Sequence, residues 1–337
     1  MTNLERLQLT GIRRVGTPKR GFRYLSTNGA FVTKDDRDRI NKLRIPPAWR
    51  DVAINSAANG RVQVVGRDAA GRWQYLYHEN HTRAQEAKKF RRLTKFAAAL
   101  PSMRATISRH LRQPGLTRER VLASVLRILS SCSMRPGSEV YASENGSFGI
   151  ATLRSNHLSV KGNTLYFDFP GKSGVRQQRE LKDARIAKVV RGLLRKPGRR
   201  VFRFENENGE LVDVTSRHIN AYIKEVMGEN FSAKDFRTWA GTLICAGALA
   251  SVGVEEEETV TARRKKIVAA IKQTAAALGN TPAVCRGSYI SPAIISSFES
   301  GKCAVNCVLS LDEFLRYRGR SLHPAERALV RFLKQAA

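Results

Sequence analysis

Apolar and polar positions change their rhythm near Thr82. Before it, short alternating runs dominate: Gly21-Phe22-Arg23-Tyr24-Leu25, Val52-Ala53-Ile54, Arg61-Val62-Gln63-Val64-Val65 and Arg72-Trp73-Gln74-Tyr75-Leu76-Tyr77. Asn59-Gly60 and Ala69-Ala70-Gly71-Arg72 separate them as hairpin signals, so residues 1–85 are expected to form a small β-rich domain. From Thr82 to Leu111 the chain is rich in Ala, Leu, Lys and Arg, until Pro114-Gly115 breaks the run. Beyond Thr117, Val121, Leu122, Val125, Leu126, Ile128 and Leu129 recur at helical spacing, predicting a buried helix that delivers Met134-Arg135-Pro136-Gly137 at its end. A β excursion follows, with strands expected at 148–153, 158–160, 165–169 and 175–181. Its turns are Lys161-Gly162-Asn163 and Pro170-Gly171-Lys172-Ser173-Gly174, which put Lys172 at a hairpin tip. The remainder reads as mostly helical. Ser232 with Asp235 is a capping-box pair opening a helix that carries Arg237 in its early turns, and Glu255 to Glu258 reads as a loop before a solvated basic helix face. The predicted fold class is therefore α+β: the β-rich domain at 1–85, then a larger, mainly helical domain at 86–337 with a β-hairpin excursion.

Composition narrows the partners. With 59 Lys+Arg against 29 Asp+Glu, the formal charge is +30 and the pI about 10.7, a surface that favours polyanions and above all nucleic acid. Residues 1–90 hold 18 basic and 8 acidic side chains, so both halves of the chain are basic and a clamp around duplex DNA is expected. Charge alone leaves a DNA-coating protein and an enzyme equally open. The N-terminal stretch lacks the apolar core of a signal peptide and no apolar run approaches the roughly 20 residues of a membrane span, so a soluble, cytoplasmic, nucleoid-associated monomer is expected. Cys132, Cys245, Cys285, Cys303 and Cys307 form no CxxC pair, and free structural thiols are expected.

The side chains that carry chemistry are few. Gly171-Lys172-Ser173 matches the end of a phosphate-binding P-loop, but that motif needs glycine at position 166, where the chain has Tyr166. The six histidines form neither HExxH nor a helical ligand pair, and a two-metal nuclease would need an acidic cluster, whereas Glu255 to Glu258 reads as a loop. No cofactor or metal is therefore expected. A phosphodiester must then be activated by protein cations: guanidinium groups offer paired, permanently charged donors to the nonbridging oxygens as phosphorus becomes five-coordinate. A lysine on a mobile tip can protonate a leaving oxygen, and a tyrosine phenol near such cations can attack as phenolate. Arg135, Lys172, Lys234-x-x-Arg237, Asn280 and Tyr289 occur in that order along the chain.

Taken together, SCSMRPGSEVYA, SFGIATL, FPGKSG, SAKDFRTWAGT and LGNTPAVCRGSYISP resemble the active-site segments of type IB DNA topoisomerases, especially the compact poxvirus-like bacterial group. IPPAW and GRWQYLYHENH are similar to that family's N-terminal DNA-contacting domain, so the resemblance covers nearly the whole chain. It implies relaxation of supercoiled duplex DNA by transient single-strand cleavage through a 3′-phosphotyrosyl bond, strand rotation and religation, without ATP or metal. It implies Tyr289 as nucleophile, Arg135 and Arg237 as the clamp on the scissile phosphate, and Lys172 as general acid. Asn280 stands where the eukaryotic and viral enzymes have histidine, and an amide can donate a hydrogen bond but cannot carry charge or shuttle protons. For Gln74, Tyr75 and Tyr77 the resemblance implies contact with bases and phosphates in the major groove, the alternative for the two same-face tyrosines being core packing. Lys234 is either a DNA contact near the site or a solvated lysine at a helix start.

A tyrosine recombinase shares the expected fold and chemistry. That family favours His-x-x-Arg at the second arginine and an N-terminal helical domain, whereas this chain has Lys234-Asp235-Phe236-Arg237 behind a β-rich region. A non-enzymatic coat protein is distinguished by forming no covalent adduct with DNA.

Overall fold

The computed structural model describes residues 1–228, 230–255, 257–304, 317 and 319–336. Cα proximity divides the chain into two units, Met1–Phe90 and Arg91–Ala337. In the first, β1 (Ile12–Thr17), β2 (Gly21–Leu25), β3 (Arg50–Ile54), β4 (Val62–Arg67) and β5 (Trp73–Tyr77) form an antiparallel sheet of order β2-β1-β3-β4-β5. Ile12, Val52, Ile54 and Val64 pack with Ile40 in one core cluster, while Leu7, Ala53, Val62 and Val65 form a second. β5 is an edge strand, and that position leaves Tyr75 and Tyr77 exposed.

Two helices and β1 in this unit were not foreseen. α1 (Asn3–Thr10) and α2 (Lys34–Lys42) each bury a single residue, Leu7 and Ile40, so neither has the apolar stripe that announces a helix. Their start signals are local: Thr2 and Glu5 make a reciprocal capping box, and the Thr33 hydroxyl accepts the Asp36 N–H.

The second unit is built around a helix buried on every side. α3 (Glu79–His110), which begins in the first unit, and α4 (Arg118–Cys132) lead into α5 (Glu139–Asn145). An antiparallel meander of β6 (Leu158–Lys161), β7 (Thr164–Pro170) and β8 (Arg176–Lys182) follows. α6 (Ala184–Leu194), the small pair β9 (Arg203–Glu205) and β10 (Leu211–Asp213), and α7 (Ser216–Met227) precede α8 (Ala233–Val252). In α8 every residue from Asp235 to Leu249 is buried, which explains why its sequence is apolar all round rather than on one face. α9 (Val260–Leu278), α10 (Pro282–Ser288), α11 (Pro292–Glu299) and α12 (Pro324–Gln335) complete the described chain. The solvated reading of 263–266 holds for Arg264 and Lys265, while Lys266 folds back onto Glu255 and Glu258.

The strand expected at 148–153 is instead a 3₁₀ turn over Ile150–Thr152. Its apolar residues mark burial, not extension. Gly149 lies against the Met134-to-Gly137 loop so closely that a Cβ there would sit 2.5 Å from the Gly137 nitrogen. The Ile150 and Ala151 amides donate to the carbonyls of Arg135 and Pro136 at 3.0 and 2.9 Å. The buried turn thus fixes the loop that carries Arg135.

α12 is anchored by Glu326, a fully buried carboxylate. It accepts two hydrogen bonds from Arg104 at 2.8 and 3.0 Å, one from Trp239 Nε1 of α8 at 3.2 Å and one from the His323 amide at 2.8 Å. Cys132, Cys245 and Cys285 are buried free thiols and Cys303 a partly buried one; Cys307 lies outside the described residues. Burial pushes Cys245 up to about 12 and Cys285 up to about 11, so both stay protonated at neutral pH.

Candidate active site

Arg135 follows α4 by a sharp turn. Ser133 ends the helix in the left-handed region (φ 50°), and its carbonyl accepts a hydrogen bond from Arg237 Nη1. Arg237 sits one turn into α8, 3% exposed, where the Ser232–Asp235 capping box fixes the helix start: the Asp235 carboxylate accepts from both the amide and hydroxyl of Ser232 at 2.9 Å. Arg237 Nη2 donates to the Leu278 carbonyl at 2.9 Å, so one guanidinium joins the end of α4 to the end of α9 while its Nε stays buried without a partner. Lys234, three residues earlier, is exposed.

Gly279 (φ 60°) terminates α9 and turns the chain into Asn280. The Asn280 Oδ1 accepts from Arg135 Nη2, which also reaches the Gly279 carbonyl at 3.4 Å; Asn280 Nδ2 is buried with no partner. Thr281 caps α10 and Pro282 occupies its first turn. The helix ends at Tyr289, whose amide donates to the Cys285 carbonyl at 3.0 Å. Thr242 Oγ1 of α8 donates to the Tyr289 carbonyl at 3.2 Å and accepts the Ser291 N–H at 3.2 Å, so the tyrosine backbone hangs from the central helix. The half-buried Tyr289 ring lies 5.0 Å from the Arg237 guanidinium carbon.

Arg135, Arg237, Asn280 and Tyr289 therefore meet, although they come from three separate stretches of chain. The concentration of positive charge is visible in Arg135, whose pKa falls to about 10 through burial and then repulsion from Arg237 and Arg179, with Tyr289 opposing. Arg179 on β8 was not singled out from sequence. Its Nη2 donates to the Ala277 carbonyl of α9 at 3.2 Å and to Gln177 Oε1 at 3.1 Å, and burial followed by the field of Arg237 lowers its pKa, Cys132 opposing. Gly241 was also missed, although a glycine inside an apolar helix is a sign of close backbone approach. A Cβ there would stand 2.7 Å from the Tyr289 carbonyl oxygen.

Lys172 is not in this cluster. It is exposed at the tip joining β7 to β8, where Ser173 and Gly174 both have positive φ, and it has no polar partner among the described residues. The tip runs from strand to strand, unlike a P-loop, which opens a helix. In the first unit, Tyr75 and Tyr77 are 38% and 45% exposed with ring centroids 6.3 Å apart, so core packing does not account for them. Gln74 Nε2 donates to Asp68 at 2.9 Å.

Comparison with known proteins agrees with this geometry. The family model of the eukaryotic DNA topoisomerase I catalytic core matches residues 79–298, and that of the bacterial DNA topoisomerase IB N-terminal domain matches residues 21–68. DNA topoisomerase 1B of Acanthamoeba polyphaga mimivirus is 35% identical over 294 residues, covering 85% of this chain and 87% of its own. DNA topoisomerase 1B of vaccinia virus is 23% identical over 306 residues, 88% of this chain and 94% of its own. Among solved structures, the XerH site-specific recombinase bound to difH aligns over 66% of this chain and 55% of its own at a TM-score of 0.34 and 13% identity, too slight a likeness to argue from. The chain belongs to the type IB DNA topoisomerases, in their poxvirus-like group, and is a DNA topoisomerase.

Proposed function

We propose that Tyr289 is the nucleophile of strand cleavage, that Arg135, Arg237 and Asn280 hold the scissile phosphate, and that Lys172 protonates the leaving strand. The observation that carries this is the meeting of two guanidinium groups, one unpaired amide donor and one tyrosine ring at a single point. A guanidinium has five N–H donors; Arg135 and Arg237 each commit two to protein oxygens, leaving donors on both for an oxyanion.

Tyr289 Oη gives up its proton to solvent and attacks phosphorus as phenolate, and charge gathers on the nonbridging oxygens that the two arginines and Asn280 Nδ2 face. The bond from phosphorus to the 5′-oxygen breaks, that oxygen takes a proton from Lys172 Nζ, and a 3′-phosphotyrosyl bond remains. Strand rotation follows, and religation reverses the step, so no ATP is needed. Asn280 acts only as a neutral donor. The cations of this chemistry are side chains, and the reaction is accordingly metal-independent. Gln74, Tyr75, Tyr77 and Lys234 contact duplex DNA, the two tyrosines by their exposure and stacking on an edge strand. The proposed domains, 1–85 and 86–337, are both basic, and each contacts the duplex. The enzyme acts as a monomer in the cytoplasm on nucleoid DNA, a reducing compartment that suits its buried free thiols.

Plasmid relaxation with excess chelator and no nucleotide tests the whole assignment. Wild type should relax the plasmid, and Tyr289→Phe should bind DNA but form no covalent adduct. Lys172→Ala should cleave about 10²- to 10⁴-fold more slowly. A 5′-bridging phosphorothiolate should restore it, because a thiolate leaves without a proton, and should not restore Arg135→Ala or Arg237→Ala. Relaxation that required magnesium, or an unrescued Lys172→Ala, would overturn the assignment.

A further inference from the structure

The exposed Lys172 tip and the buried phosphate clamp are joined by one side chain. Gln177 of β8 is 8% exposed and occupies a slot between two glycines. On one side is Gly171, the residue before Lys172: a Cβ there would stand 2.6 Å from Gln177 Cγ. On the other is Gly279, the residue before Asn280, where a Cβ would collide with the Gln177 amide, 2.8 Å from its Nε2 and closer to its Oε1. Gly279 also offers its carbonyl to Arg135. A side chain at either glycine would expel Gln177, and Gly279 in addition holds the positive φ that favours glycine.

The amide is held at both ends. Gln177 Nε2 donates to the Val175 carbonyl at 3.3 Å, and Val175 in turn accepts the Gly171 N–H at 2.9 Å, closing the neck of the tip. Gln177 Oε1 accepts from Arg179 Nη2, which also holds the Ala277 carbonyl at the end of α9. The neck of the hairpin and the α9–α10 turn are thus fastened to the same amide from opposite sides. The Lys172 ammonium, at the end of a long side chain on an exposed tip, has no polar partner among the described residues to set its distance from the phosphate site.

We infer that Gln177 is a positioning residue for the proton-transfer half of cleavage: by filling the slot between Gly171 and Gly279, it sets where the Lys172 tip stands relative to Asn280 and Arg135. The inference rests on Lys172 being the general acid. Gln177 touches no reacting atom. Its loss should leave the nucleophile and the arginine clamp in place and let the tip drift, and a displacement of about 1 Å costs on the order of 10²-fold in rate.

The experiment measures single-turnover cleavage by Gln177→Ala, Gln177→Met and Lys172→Ala on paired duplexes, one with the ordinary 5′-oxygen and one with the 5′-bridging sulfur, with melting temperature recorded for each. Gln177→Ala should be about 10- to 100-fold slow on oxygen and return to near wild-type rate on sulfur. Gln177→Met, which refills the slot without the amide, should recover most of the oxygen rate if filling is what matters. A general loss of structure would slow both substrates alike, so equal slowing on oxygen and sulfur overturns the inference, as does a wild-type rate on oxygen. Lys172→Ala separates the two levels: if sulfur fails to rescue it, the general-acid assignment falls and this inference with it. If sulfur rescues Lys172→Ala but not Gln177→Ala, the positioning role alone is wrong.

Discussion

Gly241→Ala adds one methyl group in the interior of α8, and two effects oppose each other. Alanine favours a helix over glycine by about 1 kcal/mol. Against that, the new Cβ would stand 2.7 Å from the Tyr289 carbonyl oxygen, 3.0 Å from Tyr289 Cβ and 3.1 Å from a Leu278 methyl, while ordinary contact begins at 3.4 Å. α8 cannot retreat, because it is buried on all sides from Asp235 to Leu249. To move from 2.7 Å to ordinary contact at 3.4 Å the Tyr289 backbone must yield by about 0.7 Å, straining its hydrogen bond from Thr242 Oγ1, at an overpacking cost of about 1–3 kcal/mol. The two contributions nearly cancel in stability, so the melting temperature should move by only a few degrees. They do not cancel in catalysis: a nucleophile displaced by that amount should cleave on the order of 10²-fold more slowly, with DNA affinity unchanged. Unlike Lys172→Ala, this variant should gain nothing from a 5′-sulfur leaving group, since the fault lies on the attacking side. Single-turnover adduct formation beside a gel-shift titration reads both quantities. A wild-type cleavage rate would refute the claim that Gly241 sets the position of Tyr289.

Other perturbations follow from the same geometry. Arg135→Met should abolish cleavage yet stabilise the fold by about 1 kcal/mol in urea unfolding, because it removes a buried charge set against Arg237 and Arg179; a destabilised variant would contradict this. Since the folded pKa of Arg135 is depressed to about 10, the cost of its charge is fully present below that value and is relieved only as pH rises from 10 towards the ordinary 12.5, so the gain from Arg135→Met should be flat between pH 6 and 9. Glu326→Ala would strip Arg104 of its carboxylate, leaving it only the Ser321 carbonyl at 2.8 Å as an acceptor among the described residues, and would take the acceptor from Trp239 Nε1, so it should cost about 3 kcal/mol in the same assay; a loss below about 1 kcal/mol would mean the pair acts as a surface one. The Tyr75→Ala, Tyr77→Ala double variant should weaken duplex binding while leaving the melting temperature nearly unchanged, because both rings are exposed; a large stability loss would return them to a packing role.

What the sequence made legible depended on how far each feature reaches. The central strands, the buried helix α4 and the capped start of α8 announce themselves through local periodicity or a three-residue motif. The 3₁₀ turn at Ile150 did not, because its apolar run is buried by docking onto the Arg135 loop, and burial without periodicity resembles a strand. α1 and α2 escaped for the opposite reason: each buries a single residue, so only their caps mark them. In the site, Arg135, Arg237, Asn280 and Tyr289 were accessible through their order along the chain. Gln177 and Arg179 were not: one is an ordinary polar residue on a strand and the other one more arginine in a basic chain, and each matters only through contacts with α9 about a hundred positions away.

The suspension of Tyr289 from α8 has a mechanical consequence. As the proposed nucleophile, Tyr289 would, once joined to DNA, be the mount that reacts the torque of a turning duplex. Its backbone is pinned by Thr242 on one side and Cys285 on the other, with Gly241 flush behind it. Load entering through the phosphotyrosyl bond passes into the most deeply embedded helix of the unit, not into a compliant arm. Such a bearing is stiff, so resistance to rotation should arise from the DNA rubbing against protein surface and hardly at all from stretching of the covalent joint.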